Sequence, residues 1–156
     1  LHYSSDWLYE MTCLNLLEDI TKEKGGIPFP NKVSFISQNW KKYPALIQDS
    51  TLVTKIIDIE KTINGRAYYY IPKEKVLPFA GQIKAGDIIL ITTKKKGLDT
   101  AHVGIAIENE GQIYLLHASV SDKKVSVTTE TLPDYLQRIT SHSGIMIGRL
   151  INFKSN

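Results

Sequence analysis

The sequence predicts a single α+β domain, an antiparallel sheet with helices packed on one side. Three observations carry that prediction. Helix-like spacings fall mainly in the first half of the chain, while short apolar runs of strand length crowd the second. Two of those runs are joined by Glu110-Gly111, a pair suited to a tight hairpin turn because glycine readily supplies positive φ. At 156 residues with 42% hydrophobic side chains, the chain can bury one real core. Neither a repeat, nor a linker, nor a low-complexity tract divides it.

The elements follow in order. Residues 1–13, LHYSSDWLYEMTC, begin with a Ser-Ser-Asp cluster able to cap a short helix whose apolar side is Trp7, Leu8 and Met11. The stretch LNLLEDIT is open between helix and strand, and Gly25-Gly26, Pro28 and Pro30 mark a loop. VSFISQNW fits a short strand or a helix start. Between Asp49 and Asn64, the residues Leu52, Ile56, Ile59 and Ile63 recur at helical spacing, and Asn64-Gly65 is a stop. RAYYYI, residues 66–71, reads as a strand, and residues 73–79 as a short helix or loop. Gly86-Asp87 then turns into IILITT, a continuous apolar run of the kind a buried strand carries. After the hairpin, Val125–Thr128 is another short strand. Thr131 caps LPDYLQRI, with Pro133 in the first turn, and IMIGRLINF is the last strand.

Bulk properties narrow the function classes. A formal charge of +3 permits contact with an anionic polymer without demanding it. Lys94–Lys96 and Lys123-Lys124 sit at loop positions without interleaved aromatic residues, which argues against nucleic acid as a partner. No apolar run approaches membrane-spanning length. The single cysteine, Cys13, excludes an internal disulfide.

The hairpin concentrates the chemistry. Its first strand opens with His102 and runs through HVGIAI; its second ends in LLHAS and carries His117. With Glu110-Gly111 as the turn, Asn109 pairs with Gln112, Gly104 lies opposite His117, and His102 lies opposite Ser119. Alternation places His102 and His117 on one face as diagonal neighbours, about 7–8 Å apart at the backbone, with Gly104 leaving room between them. The expectation is an imidazole–imidazole hydrogen bond at an accessible groove. The opposite face, Val103, Ile105, Ile107, Tyr114, Leu116 and Ala118, is expected to be the core side. Histidine titrates near neutrality, so a pair on a rigid ribbon is a catalytic candidate.

HVGIAI followed by LLHAS resembles the C-terminal half of the papain-like, NlpC-type cell-wall cysteine hydrolases. LHYSSDW, GDIILITTKKKGLDTAH and LPDYL resemble one branch of them, the N-acetylmuramoyl-L-alanine amidase-like domains. The resemblance implies a papain-like fold with its N-terminal part missing here, and a peptidoglycan or muropeptide substrate at the bacterial cell envelope. It implies His102 as the base and His117 as the residue that orients it. It also places LHYSSDW near the substrate cleft, which makes Tyr3 and Asp6 substrate-binding candidates.

Asp99, three residues before His102, could bond the imidazole or a substrate amine, or simply make a turn. Ser119 faces the same side as His117 and is a further substrate-binding candidate. No cofactor is implied. A zinc site on His102, His117 and Asp99 lacks the short spacings that mark metal motifs. His2 and His142 match no motif and are read as surface residues.

A cysteine nucleophile needs a depressed pKa, as at a helix N-terminus beside a histidine. Cys13 lies beyond the first turn of its helix among Leu14, Leu16 and Leu17, and is expected to be a buried, unreactive hydrophobe. LHYSSDW resembles a family segment downstream of the nucleophile, so the nucleophile is expected before Leu1 and the 156 residues alone are expected to be inactive. The alternatives are a non-catalytic muropeptide-binding domain and a zinc-dependent hydrolase.

Overall fold

The computed structural model describes residues 2–120 and 123–151. Leu1 and residues 152–153 of the expected last strand lie outside them. The chain opens with helix α1 (Ser4–Cys13), then a short strand β1 (Leu17–Asp19) and β2 (Ile27–Pro28). Three helices follow: α2 (Phe35–Gln38), α3 (Pro44–Gln48) and α4 (Thr51–Asn64). Strand β3 (Tyr69–Pro72) leads directly into α5 (Lys73–Phe79). The second half is β4 (Ile88–Thr93), β5 (Thr100–Asn109), β6 (Gln112–Ser119), β7 (Lys124–Val127), α6 (Leu132–Arg138) and β8 (His142–Leu150).

The strands form one sheet in the order β2-β3-β8-β4-β5-β6-β7, with β1 also paired to β8. Every named pairing is antiparallel. The two open stretches resolve differently: LNLLEDIT supplies β1, and VSFISQNW supplies α2.

Helices cover both faces of this sheet, which corrects the expectation of a one-sided arrangement. On one face α5 and α6 bring Val76, Phe79, Leu132 and Leu136 onto Ile89, Ile91, Ile145 and Ile147. On the other, Leu8 of α1 and Leu17 meet Leu90 and Met146. The central strands β4 and β8 therefore bury consecutive residues, which is why IILITT is apolar without alternation. A third cluster joins Tyr3 to Val33, Ile36, Leu46 and Ile63 of the helical region.

Buried polar contacts lock these layers together. Asp87 is 2% exposed and accepts bonds from Lys84 N and, on both of its oxygens, from the Arg149 guanidinium. It thus ties the start of β4 to the end of β8 through a bidentate pair. The expected Ser-Ser-Asp cap of α1 does not form: Tyr3 is the N-cap and makes no side-chain cap bond. Asp99, 94 residues away, does the work instead, accepting from Ser5 N at 2.7 Å. A carboxylate there complements the positive end of the helix dipole. The α6 cap forms as the sequence suggests, with Thr131 Oγ1 accepting from Asp134 N.

Candidate active site

The site is built on the β5–β6 hairpin. Glu110 and Gly111 both take positive φ, 50° and 75°, and Asn109 pairs with Gln112. The register runs without a slip to Ile105 opposite Leu116. Both central turn residues in the left-handed region match the right-handed twist of the strands. The two histidines then meet: His102 Nε2 lies 2.7 Å from His117 Nδ1, with the rings edge-to-face at 4.9 Å between centroids. Burial, and then the neighbouring His117, hold the His102 pKa below its ordinary value. At neutral pH His102 is therefore an uncharged imidazole able to take a proton.

The face carrying this pair is the core face, the reverse of the expected assignment. Buried Gly104 shares it, and so do Ala106, Ile113 and Leu115, which pack against the α5–α6 layer. Val103 and Ile105, on the apolar face expected to be buried, are 39% and 42% exposed. The reason lies in neighbouring elements: α6 lies across the histidine side, whereas on the other side α1 packs over β4 and β8 and meets β5 at Thr100, which leaves Val103 and Ile105 partly exposed.

His102 stands between two grooves. One, of about 380 Å³, includes His117, Ser119, Tyr135, Arg138 and His142. The other, of about 320 Å³, includes Tyr3, Ser4, Tyr43, Asp99 and Thr100. His102, His117, Ser119, Tyr3 and Asp99 are thus gathered around one point. Asp6 is not among them: it pairs with Arg66 and lines a separate groove between α1 and α4.

Several of these side chains are held by structural bonds. Asp99 is 3% exposed; one oxygen accepts from Ser5 N and the other from Thr100 N, and neither oxygen reaches an imidazole through a direct bond. Tyr3 donates to Glu60 Oε1 at 2.7 Å and accepts from Ile36 N. Burial above all raises its phenol pKa, so it stays protonated. Ser119 is 8% exposed on the His117 side of β6. Among the described residues, no group of three or more His, Cys, Asp or Glu side chains is arranged to hold a metal ion.

Two expectations need correction. Cys13 is exposed, not buried, because it closes α1 where the apolar side of the helix has already turned away. It lines neither groove beside His102. His142 is no surface residue: it is 4% exposed, opens β8 opposite Thr93, and lines the His117 groove. Tyr135 stands between the two, its ring centroid 5.7 Å from His117 and 5.6 Å from His142. Tyr135 and Arg138 are three residues apart on a helix whose cap is legible, so their shared face could have been read from sequence. His142 carried no comparable signal.

Residues 1–145 match the family described as N-acetylmuramoyl-L-alanine amidase-like. The structure is similar to that of an N-acetylmuramoyl-L-alanine amidase from Bacteroides uniformis, with 35% identity and a TM-score of 0.90. That likeness covers 97% of this chain and 65% of the B. uniformis chain. A Bacteroides fragilis structure described as a candidate xylanase is 37% identical with a TM-score of 0.89, covering 96% of this chain and 66% of that one. A Legionella pneumophila protein shares the fold at 22% identity and a TM-score of 0.65, covering 97% and 62%. The chain thus spans less than two thirds of the length of these solved relatives. No curated protein sequence matches it. The chain belongs to the N-acetylmuramoyl-L-alanine amidase-like family.

Proposed function

We propose that this chain is part of a papain-like cysteine amidase of the bacterial cell envelope. Its reaction is hydrolysis of the amide between the lactyl group of N-acetylmuramic acid and the L-alanine of the stem peptide. The observation that carries this reading is the 2.7 Å bond between His102 Nε2 and His117 Nδ1 at the meeting of two grooves. With His102 donating through Nε2, its Nδ1 is left as the base and His117 fixes the ring's tautomer and orientation.

In this mechanism a thiol gives its proton to His102 Nδ1 and the thiolate attacks the lactyl carbonyl carbon. The tetrahedral intermediate collapses as the imidazolium returns that proton to the departing alanyl nitrogen. A thioester remains. Water, deprotonated by His102, attacks the thioester and releases the muramic acid carboxylate and the thiol. Cys13, the single cysteine of the chain, is absent from both grooves, so the thiol is assigned to a segment outside residues 1–156.

A glycosidase, suggested by the name of the B. fragilis neighbour, needs two carboxyl groups flanking the bond to be cut. Beside His102 the nearby carboxylates have other work: Asp99 caps α1, and Glu130 pairs with Arg138. The amidase chemistry uses the histidines instead.

The test uses the full-length protein with N-acetylmuramoyl-L-alanyl-D-glutamate, products being read by mass spectrometry. Free N-acetylmuramic acid is expected, with kcat lowered about 10²–10⁴-fold in His102→Ala. Cys13→Ser should leave the rate unchanged, and the 156 residues alone should release nothing. Binding without turnover by the full-length protein would make this a muropeptide-binding domain. Loss of turnover in Cys13→Ser would overturn the assignment of the thiol.

A further inference from the structure

The groove on the His117 side contains a buried group with no work to do in the reaction above. His142 is 4% exposed, and its Nδ1 is buried without a hydrogen-bond partner among the described residues. A buried polar nitrogen left unpaired costs free energy, and such a group calls for a ligand or a bound water. It lines a groove of about 380 Å³, within the size range of small-molecule sites. Tyr135 joins it to the catalytic side through ring contacts with His142 and His117.

The charges around this groove favour an anion. Arg138 stands at its rim, its side chain 59% exposed and its guanidinium 5.3 Å from the Tyr135 ring. Its Nε and one terminal nitrogen both bond Glu130 Oε1, at 2.7 and 2.6 Å. A guanidinium has five N–H donors in a planar fork, so this pairing leaves others available. Near His142 lies buried Lys73, whose ammonium donates, among the described residues, to the carbonyl oxygens of Leu136 and Ile139. Burial first, and then His102, Lys73 and Arg138, push the His142 pKa down to about 4. The ring is therefore neutral at pH 7, in an electropositive setting that a carboxylate would relieve.

We propose that the groove bounded by His117, Tyr135, Arg138 and His142 is a carboxylate subsite, which receives a free carboxylate of the stem peptide released by the amidase. Arg138 supplies the counter-charge at the rim, and a turn of the buried His142 ring on binding brings its Nδ1–H to the carboxylate as a donor at the floor. The stem peptide of a muropeptide carries such a group on its glutamyl residue, immediately after the alanine whose bond is cut. The inference rests on the amidase reading for the identity of the peptide. The anion chemistry of the groove stands apart from it.

Titration calorimetry with the full-length protein, carrying His102→Ala so that no probe is turned over, separates the two. The probes are N-acetylmuramoyl-L-alanyl-D-glutamate, its diamide in which both glutamyl carboxylates are carboxamides, and the sugar-free dipeptide L-alanyl-D-glutamate. The acid is expected to bind about tenfold more tightly than the diamide, the increment of one charge-assisted hydrogen bond. Arg138→Gln should abolish that preference and leave diamide affinity as it was; its side chain lies at the surface, so the fold should persist. By NMR, the acid and not the diamide should raise the His142 pKa, because a carboxylate favours the imidazolium.

Equal affinity for acid and diamide overturns the subsite and leaves the amidase reading standing. So does acid preference that survives Arg138→Gln. Preference for the acid by the sugar-free dipeptide, with no contribution from the sugar, keeps the subsite and counts against a muropeptide substrate. No binding of any of the three probes overturns the subsite.

Discussion

His102 and His117 stand fifteen positions apart in sequence, yet a 2.7 Å bond joins them. Their pairing was legible because a hairpin with a tight turn has one natural register, and register fixes which residues share a face. His142 was not legible, because it reaches the same groove from the far side of α6, through a strand with no local link to the hairpin. Its burial has a consequence for stability. In the unfolded chain its pKa is near 6.5, and in the folded chain about 4, so between these values the unfolded state binds more protons. The stability contributed by keeping this ring neutral is fully present above about pH 6.5 and declines as pH falls toward about 4. The urea midpoint should therefore drop between pH 7 and pH 5, and His142→Gln should make that drop smaller. Cys13 offers a second residue-scale check. An exposed thiol reacts with thiol reagents without denaturant, so titration of the native chain should find one reactive thiol. A thiol revealed only in urea would contradict its position at the surface end of α1.

At the scale of the element, the hairpin depends on Gly104. A Cβ there would come within 2.6 Å of Leu115 side-chain atoms and 2.8 Å of Leu116 O. The backbone oxygen cannot swing aside, so Gly104→Ala must shift β6 relative to β5. A cost of about 1–3 kcal/mol is expected, read as a lower thermal midpoint. Because His102 and His117 flank this contact, the substitution should also reduce activity in the full-length protein, with Gly111→Ala as a comparison that meets no neighbouring atoms but strains a residue at φ 75°. Helix α1 shows the other side of element-level reading. Its apolar residues were visible in the sequence, but its cap was not, since the capping carboxylate of Asp99 comes from beyond four further helices.

Taken as a whole, the molecule is a sheet covered unevenly on its two faces. Ile89 and Ile105 both lie on strands of that sheet, in the adjacent pair β4 and β5, but they face opposite ways. Ile89 is fully buried under the α5–α6 layer, whereas Ile105 is 42% exposed beside Val103, and Val125 and Val127 on β7 are 68% and 45% exposed. Ile89→Ala should cost about 2–5 kcal/mol in urea denaturation. Ile105→Thr should stay within about 0.5 kcal/mol, the range of ordinary surface substitutions. Comparable losses at both positions would mean that the hairpin's outer face is covered as well.

The sequence by itself determined what is local in this protein. Turn chemistry and alternation set the β5–β6 register, helical spacing set α4, and a Thr-Leu-Pro-Asp start set α6, because each depends on residues within a few positions of one another. The positions of the two candidate histidines followed from that register. Only the tertiary structure decided which face of the hairpin is the core. Both faces carry apolar residues, and the choice belongs to α1 and α6, packed from opposite ends of the chain. It also decided that Asp99 serves α1, that Cys13 is exposed, and that His142 joins the groove beside His117. Those outcomes rest on contacts between distant segments, whose pairing no spacing in the chain encodes.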